Sequence, residues 1–279
     1  MVSNLHSTQD FIQDINPDQF HRQQKDQSES LKYASYIQNA IFPSPEEISK
    51  YLSAYFLVFE PRDIVSGDFY YVTGYNEFLY LAVGDCTGHG VPGALMSILG
   101  ITCLKEIISQ GRFNRSASLL NQLREYIMKA LNQRGSSTEQ KDGIDIAFCI
   151  INTKTNQLDF AGAFNPLYIV RNKELIEIQG DKMPVGIGAE EEKPFTGHTF
   201  QLEENDLIYL FSDGFIDQFG GSEGKKFKYG PFRELILDMC ELPMEEQRIR
   251  LLRTYETWRG SLRQLDDILV FGFQYHIVT

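Results

Sequence analysis

The chain has 279 residues, 42% of them hydrophobic, and carries 38 acidic against 26 basic side chains for a net charge of −12. That length suffices for one large domain plus an extension, and an acidic balance without any basic run speaks against nucleic acid and anionic membranes as partners. The longest apolar stretch, Gly93 to Leu104, contains Ser97 and Thr102 and falls short of the roughly 20 residues of a bilayer span, no signal-peptide pattern opens the chain, and Cys86, Cys103, Cys149 and Cys240 form no C-x-x-C pair, so a cytoplasmic protein with reduced thiols and no membrane contact is expected.

Met1 to Lys25 is polar and rich in Gln, Asp and Asn, which predicts a fraying helix or a disordered lead. From Gln27 to Phe42 the apolar residues Leu31, Ala34, Ile37 and Ile41 recur at helical spacing. Ser44-Pro45-Glu46-Glu47 has the form of a capping box with proline at the first helical position. Tyr55 to Glu60 reads as a strand. Phe69 to Val72 and Phe78 to Val83 then flank a Gly74-Tyr-Asn76 turn, a predicted β-hairpin. Asp68 opens the first of these strands and Asp85 ends the second, so an antiparallel pair puts both acids at one end of the sheet. The glycine-rich loop after Asp85 lets backbone approach a bound ion closely.

Pro92 to Gln110 and the segment from Ser116, with Ser116 as its cap and Gly135 beyond its end, are predicted core helices. Ile144 to Asn152, Gln157 to Gly162, Leu167 to Arg171 and Glu174 to Ile178 read as a meander of strands, Pro184 to Gly188 as a loop and His198 to Leu202 as a further strand. Leu207 to Phe211 runs straight into Ser212-Asp213-Gly214, and Asp266-Asp267 immediately precedes the strand Ile268 to Phe273. Gln218 to Phe227 is glycine-rich, a predicted mobile flap; helices are expected over Pro231–Cys240 and Pro243–Arg259. Acids at four strand ends are costly unless exposed or paired with cations. Carboxylates beside an open backbone loop suit a hard, oxygen-loving metal.

The set Ser66-Gly-Asp68-Phe-Tyr70, Gly84-Asp85-Cys-Thr-Gly-His-Gly90, Phe211-Ser-Asp213-Gly214 and Asp266-Asp267 resembles the metal-dependent serine/threonine protein phosphatases, within them the bacterial SpoIIE/RsbU-like branch. The likeness runs in order from about Ile37 to Gln274. It implies an α+β fold, a four-layer α-β-β-α sandwich with two central antiparallel sheets, over residues 51–279, after a polar lead and linker helix over residues 1–50. It implies hydrolysis of a phosphoserine or phosphothreonine on a regulatory protein by hydroxide held on two Mn²⁺ or Mg²⁺ ions. By position, Asp85 bridges both metals and Cys86 adds its carbonyl oxygen. Asp213 and Asp266 hold one metal from the far side, and Asp68 acts directly or through water. Of the tandem acids Asp266 is the preferred ligand and Asp267 the alternative.

Arg62, upstream of Asp68, is a candidate for the substrate phosphate, with a surface ion pair as the plainer reading. His89 is a second candidate. Other members carry a histidine two residues after the bridging aspartate, where Thr87 stands here, so a role for His89 in shaping the helix entry is preferred over proton donation. Asp142 and Asp145 cap the strand at Ile146 or reach a third metal, capping being preferred. Relatives in the branch act on a STAS-domain antagonist of an anti-sigma factor, and a helix entering the domain commonly pairs with a second copy, so a homodimer is weighed against a helix packed on its own domain. Two rivals remain: a catalytically weak or inactive phosphatase-fold binding module, and a two-metal nuclease or phosphodiesterase, which the lack of a basic stripe opposes.

Overall fold

In a computed structural model of the chain, the described residues are 17–111, 113–133, 141–187 and 193–277. Of the expected lead over Met1–Lys25, residues 1–16 lie outside them, as does the helix stop at Gly135. The chain runs through α1 (Pro17–Ile41), α2 (Pro45–Ile48), β1 (Tyr55–Glu60), β2 (Phe69–Tyr75) and β3 (Phe78–Cys86) into α3 (Val91–Ser109) and α4 (Ser116–Ala130). Strands β4 (Gly143–Asn152), β5 (Gln157–Ala163), β6 (Leu167–Arg171), β7 (Glu174–Ile178), β8 (Val185–Gly186), β9 (His198–Gln201) and β10 (Leu207–Phe211) follow. Then come α5 (Gly214–Asp217), β11 (Phe219–Gly220), β12 (Lys225–Lys226), α6 (Tyr229–Met239), α7 (Met244–Arg259) and β13 (Ile268–Gln274).

Two antiparallel sheets form the middle: β1-β13-β10-β6-β7, and β2-β3-β4-β5-β9 with β8 on β4. Helices α3 and α4 cover the second sheet, and α6 and α7 the first, giving the four layers the resemblance implied. Period-two alternation assigns each face. Along β10, Leu207, Tyr209 and Phe211 share a core with Phe232 and Leu251 of α6 and α7. Ile208 and Leu210 pack instead with the second sheet, in one core with Leu81 and Phe148. Helix α3 is long and apolar enough to cross a bilayer, with a mean hydropathy of 1.6 over its most apolar window. More than half of that window is buried in the domain, so its apolar character is used in packing.

Several expectations change in detail. Helix α1 begins ten residues earlier than Gln27, at Pro17, because the polar sequence of its first half has no apolar stripe to signal it. Gly74 pairs with Leu79 inside the ladder, and the hairpin turns one step later, at Asn76 with φ 53°. The Pro184 loop contributes the short strand β8. The meander breaks between β5 and β6, which lie in different sheets. The flap is docked: Gly221 N–H donates to the Trp258 carbonyl at 2.8 Å, and a Cβ on Gly220 would lie 2.0 Å from that same oxygen.

The cap of α4 is not the Ser116 side chain. Ser116 is the first helical residue, and its N–H and Oγ donate to Asp159 Oδ1 at 2.6 and 2.5 Å. Arg115 Nη1 donates to Asp159 Oδ2 at 2.8 Å. A buried β5 carboxylate therefore does what a local cap does elsewhere, favourably oriented to the helix dipole. Replacing it leaves buried donors unpaired. Asp159→Ala is expected to lower unfolding stability by about 2 kcal/mol, measured by denaturant titration; a loss within error of zero would reject the capping role.

Candidate metal centre

The first sheet carries Asp213 and Asp266 at the ends of its strands, the second carries Asp68, Asp85 and Asp145, and all five gather where the sheets meet. Asp85 lies directly across the ladder from Asp145. Phe69 pairs with Gly84, so Asp68 and Asp85 share one sheet end, as the hairpin predicted. A cavity of about 190 Å³ opens between Asp85, Asp145, Asp266 and the Cys86–His89 loop. That loop needs glycine: Gly88 and Gly90 have φ of 86° and 65°, and a Cβ on Gly93 would lie 2.3 Å from the Gly88 carbonyl.

Asp68 is held from both sheets. Its Oδ2 accepts from Ser212 Oγ at 2.5 Å, its N–H donates to Ser66 Oγ at 3.1 Å, and Ser212 Oγ also accepts from Leu269 N–H. Ser212 is thus an orienting residue that the sequence reading quoted in a motif without giving it a role. The tandem acids divide. Asp267, 3% exposed, accepts from the backbone N–H of Arg62 and of Gly67, each at 2.7 Å, which occupies both oxygens in fastening β13 to the loop before β2. Asp266 lines the cavity. Thr87 locks onto Gly143, donating its N–H to that carbonyl at 3.0 Å and accepting Gly143 N–H at its Oγ1 at 3.1 Å.

Arg62 Nη1 donates to the Leu265 carbonyl at 2.9 Å, its Nε has no partner, and Asp63 Oδ2 lies 4.0 Å away. His89 Nδ1 sits 3.3 Å from that same Asp63 oxygen with its side chain half exposed, at the cavity rim. Asp145 lines the cavity, where capping was the preferred expectation. Ladder register carried the missed signal, since two acids near the ends of adjacent strands meet when paired. Asp142 is outside the lining, its carbonyl accepting from Gln133 Nε2 at 2.7 Å.

All five acids are driven toward protonation, in each case chiefly by burial. Asp68 and Asp85 are raised well above the carboxylate range, with repulsion from neighbouring aspartates adding to burial. Asp145 is pushed up to about 7 by burial and Asp213, and Asp213 to about 6 by burial, Asp217 and Asp266. Asp266 is raised by burial, offset in part by the Asp267 N–H and by Arg62. Buried mutual repulsion of this kind is what bound cations relieve. Among the described residues no three acidic, histidine or cysteine side chains close on one point. The donor chemistry, carboxylate oxygens beside an open backbone loop, is nonetheless that of a hard cation. The residues present fit divalent cations.

The family model for Stage II sporulation protein E (SpoIIE) matches residues 76–276. The SiaA PP2C domain of Pseudomonas aeruginosa is 30% identical, covers 90% of this chain and 98% of its own, and superposes with a TM-score of 0.82. The PP2C domain of SpoIIE from Bacillus subtilis, solved with a fragment of its regulatory domain, is 19% identical over 80% of this chain and 63% of its own, TM-score 0.63. RsbX in complex with magnesium is 12% identical over 79% and 94%, TM-score 0.52. No curated protein matches the chain.

A raised carboxylate destabilises the folded state where it is ionised. For Asp213 the penalty is absent below the unfolded value near 4, grows as pH rises, and is complete above about 6. Without metal, Asp213→Asn should match the parent's stability near pH 4. At pH 8 it should exceed it by about 3 kcal/mol. Denaturant midpoints at the two pH values measure this; a gap that does not widen with pH would rule out the repulsive cluster.

Proposed function

The chain belongs to the SpoIIE family of PP2C-type, metal-dependent serine/threonine phosphatases, and from that premise we propose that it hydrolyses a phosphoserine or phosphothreonine on a regulatory protein, using two Mn²⁺ or Mg²⁺ ions at the seam of its sheets. The observation that carries this reading is the gathering of five mutually repelling aspartates from both sheets, Asp68 buried and the other four half-buried, beside an open glycine loop. Such ions neutralise phosphoryl charge and activate water. Asp85 and the Cys86 carbonyl would hold them from the second sheet, together with Asp68 as oriented by Ser212. Asp213 and Asp266 would hold them from the first. Asp267 is already committed to backbone N–H groups, which favours Asp266 of the pair. Asp145 is the residue for a third ion.

The Cys86 thiol is buried and its pKa pushed well above the ordinary range, chiefly by burial, so it stays protonated and is no nucleophile. Arg62 keeps the plainer role of an ion pair, its Nε 4.0 Å from Asp63 and its Nη1 on the Leu265 carbonyl, and is the cation through which a substrate phosphate near Asp266 would be met. His89, paired with Asp63 and half exposed, shapes the rim. By analogy with the branch, the substrate is a STAS-domain antagonist of an anti-sigma factor, met in the cytoplasm. Every acid of the motifs is present, which opposes an inactive binding module. Hydrolysis of p-nitrophenyl phosphate with and without Mn²⁺, then of a serine-phosphorylated protein, tests the reading. Turnover should fall to background in Asp85→Asn, and His89→Ala should lose less than about tenfold for good and poor leaving groups alike. Near-normal turnover in Asp85→Asn would sink the assignment.

Regulation would enter through α1. Its expected stripe is divided: Leu31, Ala34 and Ile41 are half-buried while Ile37 is exposed, and Tyr33 and Tyr36, stacked with centroids 6.4 Å apart, are the most exposed aromatics among the described residues. Gln38 is buried; its Nε2 donates to the Ser66 carbonyl at 2.6 Å and to Ser97 Oγ, and its Oε1 accepts Ser66 N–H. A second copy would cover the exposed face, and its arrival would reach Asp68 through Ser66. The full chain is expected to sediment as a dimer. Removing residues 1–43 should give a monomer with a changed Mn²⁺ concentration for half-maximal activity. A monomeric full chain whose metal requirement survives truncation would leave α1 purely structural.

A further inference from the structure

Eight described residues other than glycine have a positive φ: five are asparagine, two are lysine, and one is Phe164 at 57°. Asparagine tolerates the left-handed region through its short polar side chain, whereas a bulky aromatic there is strained. Phe164 gains little from packing in return, being 45% exposed. Its neighbour Asn165 is 5% exposed and its Nδ2 has no hydrogen-bond partner. Two unfavourable features thus fall in one turn, which is otherwise rigidly fixed. Phe164 N–H donates to the Asp181 carbonyl at 2.8 Å, and the Asn165 carbonyl packs against Gly162 and Gly180, where a Cβ would come within 2.4 and 2.8 Å of its oxygen. Strain held by an over-determined backbone is characteristic of functional positions.

The turn's location says which function. It carries the chain from β5 in one sheet to β6 in the other. Ala163 pairs with Ile146, so Phe164 leaves β5 beside the end of β4 that carries Asp145 of the cavity. Tyr168 pairs with Tyr209, so the turn enters β6 next to the strand that runs into Ser212, which holds Asp68. An exposed aromatic is therefore fixed beside the strand ends that supply the acid cluster, where the chain crosses from one sheet to the other.

We propose that Phe164 is a specificity-determining contact of the phosphatase, receiving an apolar side chain next to the phosphorylated serine or threonine of the substrate protein. This rests on the phosphoprotein reading of the site. The metal cluster can recognise only the phosphoryl group, which every phosphoserine shares. An apolar contact at the rim separates one phosphoserine segment from another without touching the chemistry.

The test compares p-nitrophenyl phosphate with two synthetic phosphoserine peptides, identical except that leucine or aspartate flanks the phosphoserine on both sides. The parent chain with Mn²⁺ should favour the leucine peptide in kcat/KM by on the order of tenfold. Phe164→Ala and Phe164→Asn should bring that ratio near one and leave p-nitrophenyl phosphate turnover within about twofold. Phe164→Asn, which suits the left-handed backbone, should also melt at or above the parent temperature, separating lost recognition from lost folding. A parent that cleaves both peptides without preference overturns this inference alone, as does a variant that keeps the preference or loses p-nitrophenyl phosphate turnover equally. A parent that cleaves p-nitrophenyl phosphate but neither peptide overturns the phosphoprotein reading, and the inference with it.

Discussion

Burying carboxylates that repel one another is the constraint on which this structure depends. Asp68 and Asp85 rise well above the usual range, and Asp145 reaches about 7. Each pKa unit of such a shift is about 1.4 kcal/mol against the ionised fold. The cluster would part if its members were not fixed independently of one another, and they are. Strand pairing fixes Asp85 against Asp145. Ser212 fixes Asp68 across the seam, and Asp267 fastens the first sheet to the loop before β2. Two hydrophobic cores, one on each side of the first sheet, supply the stability that lets the acids stay together.

What the sequence made legible follows the range of each signal. Strands with continuous apolar runs, such as Leu207–Phe211, matched the structure residue for residue because both faces of the sheet are buried. The Ser44 capping box formed as written, Glu47 N–H to Ser44 Oγ and Ser44 N–H to Glu47 Oε2, since all its partners are local. The α4 cap failed because its acceptor, Asp159, is 43 residues away. The same distance problem hid the placement of Asp145 and of Ser212, each of which meets a partner on another strand. Periodicity also could not see the step from one sheet to the other after β5, since the strands on either side read alike.

Asp266 and Asp267 show how one short motif serves two ends. Adjacent residues entering a strand point to opposite sides. Asp267 turns inward to two backbone N–H groups, while Asp266 faces the cavity. One of its donors is Gly67, between Ser66, which Gln38 of α1 grips, and Asp68. Glycine is required there, because a Cβ would lie 2.8 Å from the Gly88 carbonyl in the loop after Asp85. Three chain segments that carry the acids therefore meet on the backbone of Ser66 and Gly67, and the entering helix holds one end of it. Packed, hydrogen-bonded junctions move between discrete arrangements rather than by degrees. A shift of α1 that moved Ser66 would displace Asp68 and the support of Asp267 together. The geometry that crowds the acids thus also ties them to the entering helix.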